Sequence, residues 1–88
     1  MHESQEQLAR RLGETSRQVT VGASYMHYKQ KLNYKVLALA LREEDNEPCV
    51  VYQAEYGNSI IWVRPLISWL EEVEIDNQKV NRFTPALD

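Results

Sequence analysis

The densest group of chemically capable side chains in this 88-residue chain is Tyr25-Met26-His27-Tyr28-Lys29, which sets two phenols, an imidazole and an ammonium within five positions. An imidazole can hydrogen-bond a ligand, act as a general base, or tie down a backbone carbonyl. Lys29 is joined by Lys31 and Lys35, with Tyr28 and Tyr34 among them. Rings interleaved with cations suit single-stranded nucleic acid, the rings stacking on bases and the lysines meeting phosphates. The same cluster also suits a solvated edge that discourages sheet-to-sheet pairing.

Arg64 is the second candidate, on the alternating face of Trp62 and Ile60 and directly before Pro65. A guanidinium on an apolar face needs a partner or solvent, because burying an unpaired charge is costly. Two readings stand: an acid such as Glu55 or Glu72 pairs with it, or it presents its fork to a carboxylate or phosphate. Arg82, beside Phe83, invites the same two. Five tyrosines against one phenylalanine fit either the wall of a shallow groove or the wet margin of a small core, since a tyrosine buries its ring and keeps its hydroxyl hydrated.

Other chemistries find little footing. Cys49 is the single cysteine, so no internal disulfide forms, and with His2 and His27 it falls short of a zinc ligand set. It opens the apolar run CVVY and reads as a small buried hydrophobe. The sequence carries no phosphate-binding glycine loop, dinucleotide fingerprint or nucleophile elbow, and no Ser-His-Asp or Cys-His arrangement is legible. No metal, no cofactor and no catalytic residue are therefore expected. The acidic groups Glu43 to Glu47 and Glu71 to Asp76 read as solvated surface.

The elements that must position these residues follow from pattern. Ser4-Gln5-Glu6-Gln7 has the form of a capping box, Leu8 and Leu12 share a helical face, and Gly13 can close a short N-terminal helix. That helix frays, docks on the main body or meets a partner. From Thr20 to Lys29 a first strand is predicted, with Tyr25, His27 and Lys29 on one face and Met26 and Tyr28 on the other. A turn at QKLN leads to YKVLALALRE, whose Leu37, Leu39 and Leu41 form the best core candidate. The strand CVVYQAEY puts Val50, Tyr52, Ala54 and Tyr56 on one side. Gly57-Asn58-Ser59 then turns it into IIWVR as an antiparallel hairpin. Pro65 stops that strand and opens a short helix in which Leu66, Trp69, Leu70 and Val73 recur at helical spacing. EVEI and KVNRF are short strands around a turn at Asp76-Asn77-Gln78.

Composition bounds the whole. A chain of this length makes one small domain with a thin stability margin, and its 43% apolar and 26% charged residues are ordinary for a folded soluble chain. A net charge of −3 and a pI near 5.3 exclude nucleic-acid coating by bulk electrostatics and leave room for a local basic patch. No apolar run approaches the roughly 18–20 residues that span a bilayer, and MHESQEQLARRLG lacks a signal-peptide core, so a cytoplasmic protein with no membrane partner is expected.

Several of these motifs occur together in a known order. The segments YMHYKQKLNYKVLALALREE, CVVYQAEYGNSIIWVRPLISWLEEV and VNRF resemble the small bacterial domain of unknown function DUF1653. The motif positions are Tyr25, His27, Tyr28 and Lys29; Val50, Val51 and Tyr52; Tyr56 and Gly57; Trp62 to Pro65; and Arg82 and Phe83. The resemblance runs from about Gly22 to Phe83, with two departures at turns, Gln30 and Asp76-Asn77, where the family usually has Gly and Asp-Gly. It implies a compact, mostly β domain and no reaction.

The expectation is a mainly β fold: a small SH3-like barrel or strongly bent antiparallel sheet of about five strands, with one short helix after Arg64. Residues 1–19 form a helical or flexible extension and 20–88 the β domain. The expected function is a non-enzymatic binding module whose groove is lined by Tyr25, His27, Tyr28, Lys29, Tyr52, Trp62 and Arg64. Its partner is a nucleic acid segment or a phosphorylated or carboxylated small molecule; the alternative is a protein-docking or self-associating domain that uses exposed aromatics.

Overall fold

A computed structural model describes residues 3–86; His2, counted above among possible metal ligands, lies outside them. Helix α1 (Gln5–Ser16) begins with the complete capping box: the Ser4 hydroxyl accepts from the Gln7 amide at 3.1 Å and the Gln7 side chain accepts from the Ser4 amide at 2.9 Å. Gly13 does not end the helix, which runs on to Ser16. The extra turn brings Thr15 into the interior, with its hydroxyl donated back to the Arg11 carbonyl at 2.9 Å. Of the three fates open to this helix it takes docking: it packs on strands β2 and β3, and Arg11 donates to the Asn46 carbonyl at 2.9 Å.

The main sheet has five antiparallel strands in the order β4-β3-β2-β1-β7, built from β1 (Ser24–His27), β2 (Asn33–Leu41), β3 (Pro48–Ala54), β4 (Ile61–Pro65) and β7 (Phe83–Pro85). Strands β5 (Glu72–Ile75) and β6 (Gln78–Asn81) form a separate two-stranded hairpin. Strands β4 and β7 remain edges, so the sheet is open and no barrel closes. The Asp76-Asn77 turn of the small hairpin has positive φ at both residues, 50° and 66°, the conformation of a type I′ turn that Asp and Asn tolerate. Helix α2 (Leu66–Leu70) follows Pro65, which is the last residue of β4 and caps the helix. The helix stops before Val73, which instead pairs with Val80.

Three strand readings are corrected. KVNRF is not one strand: it is divided between β6 and β7, which belong to different sheets. The first strand starts at Ser24, because Gly22, at φ +90°, turns the chain and donates its amide to the Val36 carbonyl. In β2 a bulge between Val36 and Ala38 inserts one residue into the ladder and reverses the alternation. Tyr34 and Val36 are therefore buried, Leu37 is exposed, and Leu39, opposite Val50, returns to the core side. An unbroken alternation through Leu37, Leu39 and Leu41 would have missed Tyr34 and Val36.

The core joins Val19, Tyr25, Tyr34, Val36, Val50, Tyr52, Ala54, Trp69 and Phe83. Each large side chain buried here stabilises by about 1.5–3 kcal/mol. Its centre is aromatic: Trp69 and Phe83 stack face to face at 3.8 Å and 4°, while Tyr34 and Tyr52 meet Phe83 edge-on at 6.0 and 5.7 Å. Cys49 is a free, buried thiol, as its place in CVVY implied.

A candidate anion site around Arg64 and His27

Strand β1 sends Tyr25 and His27 to the core side. Tyr25 meets the Trp69 ring at 5.4 Å and His27 meets Phe83 edge-on at 5.1 Å. Met26 and Tyr28 line a cleft of about 270 Å³ toward the β5–β6 hairpin, together with Lys31, Asp76 and Thr84. The ladder explains this division, since the Tyr28 amide still donates to the Arg82 carbonyl at 2.9 Å and so prolongs the β1–β7 alternation by one residue. Lys29 falls in the following turn and is exposed. Its amide donates to His27 Nδ1 at 3.2 Å, so a neutral His27 carries its proton on Nε2.

Arg64 enters from β4, opposite Val50 and on the face of Tyr52. It is half-buried, and neither acid expected for it takes the role. Glu55 accepts from the Ser24 hydroxyl, and among the described residues no carboxylate lies within ion-pair distance of Arg64. Its donors go to neutral oxygens instead, Nε to the Tyr52 hydroxyl at 3.3 Å and Nη1 to the Ser68 hydroxyl at 2.9 Å, while the guanidinium carbon lies 5.5 Å from the Phe83 ring centre. Arg82 takes the other reading: it is ion-paired with Glu71 and donates from Nε to the Ser68 carbonyl at 3.1 Å.

The resulting field is positive. Burial lowers the pKa of His27 below 6.5, and Arg64, then Arg82, then Lys29 push it further in the same direction. Beside this cluster, the Tyr34 phenol accepts no charge easily: burial, and then its bond to the Tyr56 hydroxyl at 2.5 Å, push its pKa up to about 12.

The fold thus gathers His27, Tyr52 and Arg64 around Phe83, with the Tyr28 ring 4.7 Å from that of His27 and Lys29 in the turn that follows. Tyr25 and Tyr52 are buried and support the surface from behind; Tyr25 accepts the Thr20 amide at 2.9 Å through its hydroxyl. Trp62 is half exposed and forms no ring pair with the other aromatics among the described residues. Sequence reasoning undervalued Phe83, whose ring lies under Arg64, and Ser68, whose hydroxyl accepts from Arg64 and whose carbonyl accepts from Arg82. The Arg-Phe pair was the available signal for the first, and nothing in the local sequence marked the second.

A family model described as a protein of unknown function, DUF1653, matches residues 23–85. The chain belongs to the DUF1653 family. The crystal structure of a DUF1653 protein from Bordetella bronchiseptica is similar at a TM-score of 0.67 and 31% identity, over 78% of this chain and 90% of that one. No curated protein matches the chain. The family span begins at Ala23, so it includes every strand and the whole Arg64–His27 cluster and leaves α1 outside. Among the described residues no helix is long and apolar enough to cross a membrane, and no group of three His, Cys, Asp or Glu is placed to hold a metal ion.

Proposed function

We propose that this DUF1653 domain is a non-enzymatic binding module for an anionic ligand, either a nucleic acid segment or a phosphorylated or carboxylated small molecule. The observation that carries the reading is Arg64, a half-buried cation bonded to two neutral hydroxyls and, among the described residues, to no carboxylate. Such a charge is costly without a counter-ion, and a ligand oxyanion supplies one through charge-assisted bonds. His27 Nε2–H and the Lys29 ammonium add donors beside it, Tyr28 supplies a ring next to His27, and the buried Tyr52 holds Arg64 through its hydroxyl. Trp62 belongs to the rim of the surface, and Tyr25 to its support. Cytoplasmic residence in a bacterium is part of the same reading, its bacterial part supported by the similar structure from Bordetella bronchiseptica.

An amide and imidazole NMR titration with inorganic phosphate, nucleotides and single-stranded RNA tests this. Shifts centred on His27, Lys29 and Arg64 are expected, with RNA binding weakening as salt rises. Unmoved signals at millimolar concentrations of all three ligands would end the anion reading. A second reading, contact with a protein through exposed apolar and aromatic residues, is favoured by one observation: Ile60, Ile61, Trp62 and Val63 are consecutive and each at least half exposed.

A further inference from the structure

Strand β4 is an edge of the main sheet, and its free side is unusually bare. Edge strands in soluble domains are commonly blunted by lysine, by inward-pointing charge or by a covering segment. Here Ile60 to Val63 contain no charged residue, and their exposures run from 50% at Trp62 to 65% at Val63. The ladder shows which backbone groups are unpaired. The Ala54 amide donates to the Ile60 carbonyl at 2.9 Å, in the same register that pairs Gln53 with Ile61 and Tyr52 with Trp62. In an antiparallel ladder hydrogen-bonded and non-bonded pairs alternate. Residues 60, 62 and 64 therefore turn their amides and carbonyls toward β3, and Ile61, Val63 and Pro65 turn theirs outward.

Proline has no amide hydrogen, so it occupies an outward position without weakening the β3 pairing. The outward groups are then the N–H and C=O of Ile61, the N–H and C=O of Val63, and the C=O of Pro65. This set is self-complementary. An antiparallel pairing about a two-fold axis at Trp62 sets Ile61 opposite Val63 of a second copy, and the reverse, closing four backbone hydrogen bonds. Trp62 then faces Trp62 of the second copy on the core side, and Ile61 meets Val63 on the outer side. The pairing asks nothing of Pro65, whose counterpart is Ser59, and the Ser59 amide is already bonded to the Tyr56 carbonyl at 3.1 Å. No like charges are brought together in this stretch, although the chain as a whole is at −3.

The area fits a weak dimer. Ile60, Ile61, Trp62 and Val63 leave at least half of each side chain exposed along this edge, and Ile67 on the adjoining α2 is 75% exposed. Pairing along one short strand covers part of this surface, at or below the roughly 1,200 Å² that marks the low end of specific interfaces, which corresponds to a dimer that assembles with concentration. We infer that the domain self-associates as a two-fold dimer through antiparallel pairing of β4 with β4 of a second copy, centred on Trp62. The inference rests on the second reading above and makes its partner specific; it is independent of anion binding.

Sedimentation equilibrium from micromolar to millimolar protein, with hydrogen exchange on the same samples, tests it. The dimer fraction should rise with concentration, and exchange of the Ile61 and Val63 amides should slow at least tenfold between the dilute and concentrated samples. Val63→Pro removes an outward amide that β3 does not use, and Val63→Lys puts a charge on the edge; each should give a monomer with the native amide spectrum. Should Val63→Pro fail to fold, Val63→Lys decides alone. A wild-type chain that stays monomeric at millimolar concentration, or variants that dimerise as wild type does, overturn the inference. A monomer whose Ile61 and Val63 amides become protected by an added apolar peptide also overturns it, while leaving the protein-contact reading standing.

Discussion

Arg64→Met separates a structural arginine from a ligand-binding one. Methionine keeps an unbranched apolar stem on the face of Tyr52 and removes the guanidinium. The folded chain then loses a 2.9 Å bond to Ser68, a weaker 3.3 Å bond to Tyr52 and a ring contact at 5.5 Å. The two bonds together contribute about 2 kcal/mol and the cation–π contact about 0.5–1 kcal/mol. Opposing them is the desolvation of a cation that has no carboxylate partner among the described residues, a penalty the substitution abolishes. The net loss expected is therefore small, about 1–2 kcal/mol, seen in urea unfolding as a lower midpoint with an unchanged m-value. Phosphate affinity should respond more strongly. Losing a charge-assisted bond of about 1.5–3 kcal/mol weakens binding roughly tenfold to a hundredfold, measured by NMR titration. In the same spectra the His27 pKa should move upward, since Arg64 is the foremost charge disfavouring its imidazolium. A stability loss above about 4 kcal/mol with phosphate affinity unchanged would make Arg64 a structural residue and refute the reasoning.

Phe83→Ala removes the ring that stacks on Trp69 at 3.8 Å and meets His27, Tyr34 and Tyr52. It should cost about 3–5 kcal/mol in chemical denaturation; a cost under about 1 kcal/mol would show that the cluster repacks without it. His27 makes stability depend on pH. Its folded-state pKa lies below the unfolded value of 6.5, so the unfolded chain binds the proton more readily. Its contribution is present above pH 6.5 and is lost as pH falls through the folded pKa, and His27→Gln should flatten that part of a melting-temperature profile. Tyr34 acts at the other end of the scale. With its folded pKa raised from 10 to about 12, stability should fall as pH rises above 10, and Tyr34→Phe should remove the latest step from a phenolate absorbance titration. Ser4→Ala breaks the capping box and, with α1 docked on β2 and β3 and unfolding in the same transition as the sheet, should lower stability by about 1 kcal/mol, read as a shift in the denaturation midpoint.

Local chemistry made much of this molecule legible in advance. The capping box, the hairpin at Gly57, the strand end at Pro65 and the split of Tyr25 and His27 from Met26 and Tyr28 all depend on residues within a few positions of one another. Backbone sterics and the two-residue period of a strand act at that range. The Val36–Ala38 bulge was not legible, because an extra residue is specified by what the opposite strand can pair with. The docking of α1 likewise required the sheet to be in place before its narrow apolar face had anywhere to go.

The sequence by itself determined the family motifs, the mainly β class and most of the residues from which a site could be made. Only the tertiary structure decided which of them meet. It withdrew Tyr25 and Tyr52 into the core, left Trp62 on an open edge, paired Arg82 with Glu71, and set Arg64 beside two hydroxyls. The physical reason is distance along the chain: Arg64, Phe83 and His27 converge because β1 pairs with both β2 and β7 while α2 returns Ser68 and Trp69 over the sheet. A charge's partner is fixed by that convergence, and a periodic pattern within one strand contains no record of it.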